Sequence, residues 1–169
     1  DTCSGENAFL ISCTARGRLR RAVSVVSAQA IYLHTATVLQ FVLAALTLDR
    51  DLAVDARSLA ASPLLDEAMR KGGFKHEETD QPGSWRNGNG IAVDLMVPDA
   101  LAGASGRRGA RIPPHSKHAA RRAVGLEAAL VENPPMVIES LIPEDPRVFT
   151  VNVASPGALL VAKLRKLGE

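Results

Sequence analysis

Aromatic side chains are scarce in this chain: four Phe, one Trp and one Tyr among 169 residues. That excludes a core built on stacked rings, so Ala, Val, Leu and Ile must fill the interior. It also argues against a surface that stacks successive nucleic-acid bases. Cysteine is nearly absent. Cys3 and Cys13 are too few for a disulfide scaffold and have no metal-ligand spacing with histidine. Reduced thiols and a cytoplasmic location are expected. Neither sign of charge dominates: 20 Lys and Arg against 18 Asp and Glu leave a net charge of +2. This excludes a uniformly polyanion-binding surface but leaves local segregation of charge open. Long hydrophobic runs are missing apart from Ala28 to Leu48. That run is interrupted by Gln29, His34 and Gln40, and is marginal for a span of roughly 20 residues. A buried segment with no membrane association is expected. Residues 1–15 make a poor signal peptide, because the positive charges follow the apolar run instead of preceding it. No repeat or low-complexity tract is present.

What remains is an ordinary globular composition, 46% hydrophobic and 22% charged, of a size for one domain. Residues 1–19 read as an extension and 20–169 as the domain. Val23 to Val26 has the β-branched content of a buried strand, and a helical stretch, AQAIYLHTA, follows Ser27. In Leu46 to Asp55 the period is two. Leu46, Leu48, Leu52 and Val54 share one parity, broken by Arg50, while Thr47, Asp49, Asp51, Ala53 and Asp55 share the other. Ser62-Pro63 predicts a helix start that Gly72-Gly73 stops. Residues 80–90 read as a turn-rich loop, and Ile91 to Val97 as a second alternating strand with Asp94 at its centre. A Gly-, Arg- and His-rich connection covers 99–118. Short apolar runs at 126–131, 136–142 and 147–153 then read as strands or short helices. Ser155-Pro156 opens a last helix, whose expected buried stripe is Leu160, Val161, Leu164 and Leu167 with Lys163 at its edge. The pattern is α/β or α+β with a mixed sheet.

Two strands thus present aspartates. Asp49 and Asp51 project from one side, roughly 7 Å apart by strand geometry. If Asp94 lies on a neighbouring strand, three carboxylates converge. Such groups repel unless a cation neutralises them, and hard divalent ions with oxygen ligands do so. Two ions held this way activate an attacking hydroxyl and stabilise a leaving phosphate. The competing explanation is an acid-studded solvent face on an edge strand.

These residues resemble the polymerase-β-like nucleotidyltransferases, in particular the AbiEii-type toxin branch, from about Arg20 onward. Val25-Val26-Ser27-Ala28-Gln29-Ala30-Ile31-Tyr32 is similar to the family's turn and helix. Thr47-Leu48-Asp49-Arg50-Asp51 matches its T-x-D-x-D strand, and Asp94 takes the place of the third acidic strand. Ala158 to Lys163 resembles its lysine-bearing helix. The resemblance implies a nucleotidyltransferase-like mixed sheet flanked by helices. It implies Asp49, Asp51 and Asp94 as catalytic and metal-binding residues for Mg²⁺, two ions in all. Ser27, Gln29, Thr47 and Lys163 would bind a nucleoside triphosphate (NTP). The expected reaction moves a nucleoside monophosphate onto a hydroxyl of RNA or protein. Ser27 and Ala28 stand where the family has glycines, and no K-D-x-x-D motif occurs within residue 169. That departure supports a second expectation, an inactive binding module paired with a cognate antitoxin.

The basic residues Arg107, Arg108, Arg111, Lys117, Arg121 and Arg122 would bind the substrate's phosphates together with Lys163 in the first reading; they also support a third, a nucleic-acid-binding protein, set against a plain solvated loop. The four histidines lack acids at zinc spacing and are expected at the surface. Ser84, in PGSWR, is not in a nucleophile elbow.

Overall fold

The computed structural model describes residues 21–35, 49–76, 81–104, 108–139 and 148–168. Among these, eight strands form one mixed sheet with four helices, an α/β fold. The strands are β1 (Val23–Val25), β2 (Asp49–Val54), β3 (Phe74–His76), β4 (Ser84–Asn87), β5 (Ala92–Pro98), β6 (Arg121–Ala123), β7 (Pro135–Glu139) and β8 (Val148–Val153). The helices are α1 (Ser27–Thr35), α2 (Leu65–Lys71), α3 (Glu127–Val131) and α4 (Pro156–Leu167). The path across the sheet runs β3-β4-β5-β2-β1-β8-β7, and β6 also pairs with β5. Both β2–β5 and β1–β8 are parallel, while β1–β2 is antiparallel.

The junction along one edge of β5 sets up everything that follows. The antiparallel strand β4 covers Ala92–Asp94, and the parallel strand β6 covers Met96–Pro98. Gly83 sits between the two coverings. Its carbonyl accepts from the Leu95 N–H at 2.8 Å and its N–H donates to the His118 carbonyl at 2.9 Å. With φ at 84°, it takes a conformation that glycine adopts without steric cost. A Cβ there would lie 2.5 Å from the Leu95 oxygen and 2.6 Å from the Arg121 nitrogen.

Alternation along paired strands gives the sheet two faces. Leu52, Val54, Val93, Leu95, Val97 and Trp85 share one, each no more than 2% exposed. The Trp85 indole N–H donates to the Ala119 carbonyl at 3.0 Å, which satisfies the one polar atom this ring buries. Asp51, Ala53, Asp94 and Met96 point to the opposite face. Over that face lie α1, α3 and α4.

Several local expectations change. The expected loop at 80–90 contains β4, because Trp85 needs the sheet to bury it. The helix expected to begin at Ser62-Pro63 begins at Leu65. Its free N–H groups are met elsewhere: Glu67 accepts from the Leu64 N–H, and His115 Nδ1 accepts from the Leu65 N–H at 3.1 Å. His115 is therefore buried, not on the surface. His34, half-buried, donates from Nε2 to the Ala154 carbonyl at 2.8 Å. The last helix does start as predicted, with Ser155 capping the Ala158 N–H and Pro156 in the first turn. Its expected buried stripe is instead exposed: Leu160 61%, Val161 46%, Leu164 59% and Leu167 83%. Small residues explain the rotation, since Ala158 and Ala162 let α4 approach closely with Leu159 between them.

Residues 1–20, which hold the expected N-terminal extension, lie outside the described residues, as do 36–48 of the apolar run. No helix among the described residues is long and apolar enough to cross a membrane.

Candidate active site

The turn from β1 into α1 carries the first candidate. Ser27 is the first residue of α1 and has φ of 58°. An L-residue in this left-handed region costs roughly 1–2 kcal/mol relative to the right-handed one. It is the only positive-φ residue among the described residues that is not glycine. The chain accepts the cost because β1 is pinned on both sides. The Val26 N–H donates to the Asp51 carbonyl at 3.1 Å, and the Ala154 N–H donates to the Val25 carbonyl at 3.0 Å. The backbone must then turn abruptly to lay α1 over the sheet.

Asp51 and Asp94 are direct partners in the parallel β2–β5 pair. Their Cα atoms are about 4.8 Å apart by sheet geometry, with both side chains on the helix-covered face. Asp49 lies two residues earlier on β2, with the same parity; its side chain is outside the described residues, as is Thr47. The Asp94 carboxylate is held from both sides of the β5 edge. Ser84 Oγ donates to its Oδ1 at 2.7 Å, and Arg121 Nη2 donates to its Oδ2 at 3.2 Å. Arg121 is registered with Met96 and reaches back two positions along the same face. Next to it, Arg122 Nε donates to Asp99 Oδ1 at 2.8 Å.

A cavity of about 370 Å³ opens between these strands and the helices. That is at the lower end of the range for small-molecule sites. Its polar walls are Ser27, Asp51, Arg121, Arg122, Lys163 and Lys166. Its floor is aliphatic, with Val26, Ile31, Met96, Leu126 and Leu159. Lys163 and Lys166 come from α4, one turn apart. The outward rotation of the leucine stripe is what aims both lysines at the cavity. No ion pair among the described residues holds either lysine or Asp51.

Of the residues singled out from sequence, Ser27, Asp51 and Lys163 meet at this cavity, and Asp94 borders it through Arg121. Gln29 is buried, 8% exposed, and does not line it. Two contributors, Lys166 and Ser84, went unrecognised. Lys166 has a signal, since it falls three residues after Lys163. Arg121 was expected at the phosphates as one cation of the basic stretch. Ser84 as the partner of Asp94 required knowing the β4–β5 register. Arg108 and Arg111, from the same stretch, are exposed and outside the cavity, and Arg107 lies outside the described residues.

Asp51 and Asp94 offer hard oxygen donors on one face, the donor type Mg²⁺ takes. Among the described residues no cluster of three or more metal-ligating side chains forms. The donors fit the ion in kind, and Arg121 stands where Asp94 would receive it. Comparison with protein-family models, with curated proteins and with solved structures gives no match.

Proposed function

We propose that the protein is a Mg²⁺-dependent nucleotidyltransferase that transfers a nucleoside monophosphate from an NTP to a hydroxyl of RNA or protein. One observation carries the reading. Ser27, Asp51 and Lys163, assigned by resemblance to three separate motifs, border a single cavity with cationic walls. In this reading the protein belongs with the polymerase-β-like nucleotidyltransferases and works in the cytoplasm, where NTPs are supplied.

Asp51 and Asp94, paired in register across β2 and β5, would hold the metal, and the resemblance adds Asp49 as a further ligand. Mg²⁺ bound there supplies Lewis-acid stabilisation of charge on the phosphates. Lys163, Lys166 and Arg121 bind and orient the triphosphate, neutralising its oxygens. Asp94 takes the proton of the acceptor hydroxyl. The hydroxyl oxygen bonds to the α-phosphorus, the α–β bridging P–O bond breaks, and pyrophosphate leaves with the electron pair. Incubation with α-labelled NTPs, Mg²⁺ and total RNA or protein tests this. Label is expected in a macromolecule with the native chain and absent with Asp51→Ala. No transfer, or transfer unaffected by that substitution, refutes it.

A second reading, an inactive binding module with a cognate antitoxin partner, is favoured by Ser27 in a glycine conformation and by the occupied Asp94. It predicts no metal-dependent nucleotide binding by calorimetry.

A further inference from the structure

The shape of the cavity's lining points to a ligand that needs no metal, independently of the nucleotidyltransferase reading. We propose that the cavity binds a phosphate monoester with an aliphatic body in the absence of a divalent ion, the head at the mouth and the body on the floor.

Burial orders the lining. Val26, Met96, Leu126, Ala129 and Leu159 are each no more than 9% exposed and form an aliphatic bottom. Lys163 and Lys166 are exposed, and Arg121 and Arg122 half-buried, so the cations stand at the mouth. One helix shows the gradient by itself. Leu159, Ala162, Lys163 and Lys166 fall at i, i+3, i+4 and i+7, a single face of α4 that passes from buried and apolar to exposed and cationic. The ligand that matches such a wall has a charged head and an apolar body. No aromatic ring and no side-chain amide lines the cavity among the described residues. The bottom therefore rewards apolar area removed from water and reads no hydrogen-bonding edge.

The balance of charge selects the head. Arg121 is offset by Asp94 and Arg122 by Asp99, and Asp51 opposes one of the two lysines. One positive charge is left over. A phosphate monoester carries about −1.5 to −2 near neutral pH, within about one charge of balance, and its oxygens accept strong hydrogen bonds from lysine. A polyphosphate brings more negative charge than this lining offsets. A divalent cation meets a single carboxylate, Asp51, among four cationic side chains, with Asp94 outside the lining. Metal-free binding of a small phosphate head is what these residues favour.

Calorimetric titration of the full chain in EDTA, with methyl phosphate and with hexyl phosphate, tests this. The two probes share a head and differ only in aliphatic length. Hexyl phosphate is expected to bind at least about tenfold more tightly, because each buried methylene adds to the affinity. Replacing both exposed lysines, Lys163→Gln with Lys166→Gln, should weaken hexyl phosphate about tenfold. Asp51→Asn should tighten it about threefold, since it removes the one carboxylate of the lining. Equal affinity for the two esters overturns the proposal, because the floor then takes no part. So does binding that requires Mg²⁺, binding indifferent to both lysines, or no binding at millimolar ester. The same head and body occur in a free alkyl phosphate and in phosphatidic acid within a bilayer. Co-sedimentation with phosphatidic acid vesicles that hexyl phosphate competes away supports the lipid as the source. Hexyl phosphate binding without co-sedimentation supports the free ester, and co-sedimentation without hexyl phosphate binding overturns the proposal. Label transfer from an NTP with no hexyl phosphate binding refutes this inference and leaves the transferase reading standing; hexyl phosphate binding with no transfer does the reverse.

Discussion

Ser27 holds φ at 58° on the wall of the cavity, so replacing it with glycine probes fold and site together. In the folded state the substitution removes a left-handed L-residue, a relief of roughly 1–2 kcal/mol. In the unfolded state it adds backbone freedom, which costs about 0.4–1 kcal/mol. The net expectation is a gain of between about 0 and 1.5 kcal/mol. For a chain of 169 residues, 1 kcal/mol corresponds to a Tm shift of about 2–4 °C. Urea and thermal melts of the native chain, Ser27→Gly and Ser27→Ala give the answer. Ser27→Ala keeps the Cβ, and with it the strain, so it should fall within about 0.5 kcal/mol of native. The same change opens the turn to close approach by a phosphate, so tripolyphosphate should bind more tightly to Ser27→Gly. A destabilisation of more than about 1 kcal/mol by glycine would refute the reasoning. It would mean that the hydroxyl, not the backbone, is what the turn requires.

Gly83→Ala should destabilise by about 2–5 kcal/mol, summing a forbidden φ and overpacking against backbone that cannot yield; a urea midpoint unchanged from native would contradict the tight β4–β5–β6 junction. Burial lowers the His115 pKa below the ordinary 6.5, against a smaller opposing pull from the Ala60 backbone and Asp66. The sign follows from linkage: the stabilising contribution is present above 6.5, where both states are neutral, and is lost as pH falls through the folded value. Acid therefore weakens the native chain, since protonation of Nδ1 ends the bond from the Leu65 N–H, and His115→Gln should show a flatter urea-midpoint profile between about pH 7 and pH 5. Leu164→Gln and Leu167→Gln should each change stability by less than about 0.5 kcal/mol in this chain, because both leucines are exposed. A larger loss in chemical denaturation would place that face against something within the chain.

The sheet was readable wherever one parity was apolar. The alternation in LTLDRDLAVD and IAVDLMV placed Asp51 and Asp94 on strands, and those strands are paired in register. The three-residue strands β3 and β6 were not readable, because three residues are too few to show a period. Nor was β4, whose Trp85 lies among turn formers, so local composition hid a residue that only tertiary burial explains. Helix α4 shows a different limit. Its ends follow from Ser155, Pro156 and Gly168, all local signals. Its buried face depends on which residues let it approach α1 and α3. Leucines at 160, 164 and 167 make the larger apolar stripe, yet Ala158, Leu159 and Ala162 make the closer contact. The orientation of Lys163 and Lys166 follows from that choice; Lys163 was expected at the site from the resemblance, whereas Lys166 was not.

The near-zero net charge conceals how the site is built. Asp94 and Arg121 cancel in any sum, as do Asp99 and Arg122, but each pair stands at a chosen place. The aliphatic floor beneath them matters for the same reason. Charges beside Val26, Met96 and Leu159 are screened less by water than charges on an open surface, so exchanging one partner for another has larger consequences. Increasing ionic strength should weaken tripolyphosphate binding more steeply in Asp94→Asn than in the native chain, because the freed Arg121 adds a cationic contact to the polyanion and the number of such contacts sets the salt slope; an equal or shallower slope would show that Arg121 does not reach the phosphates.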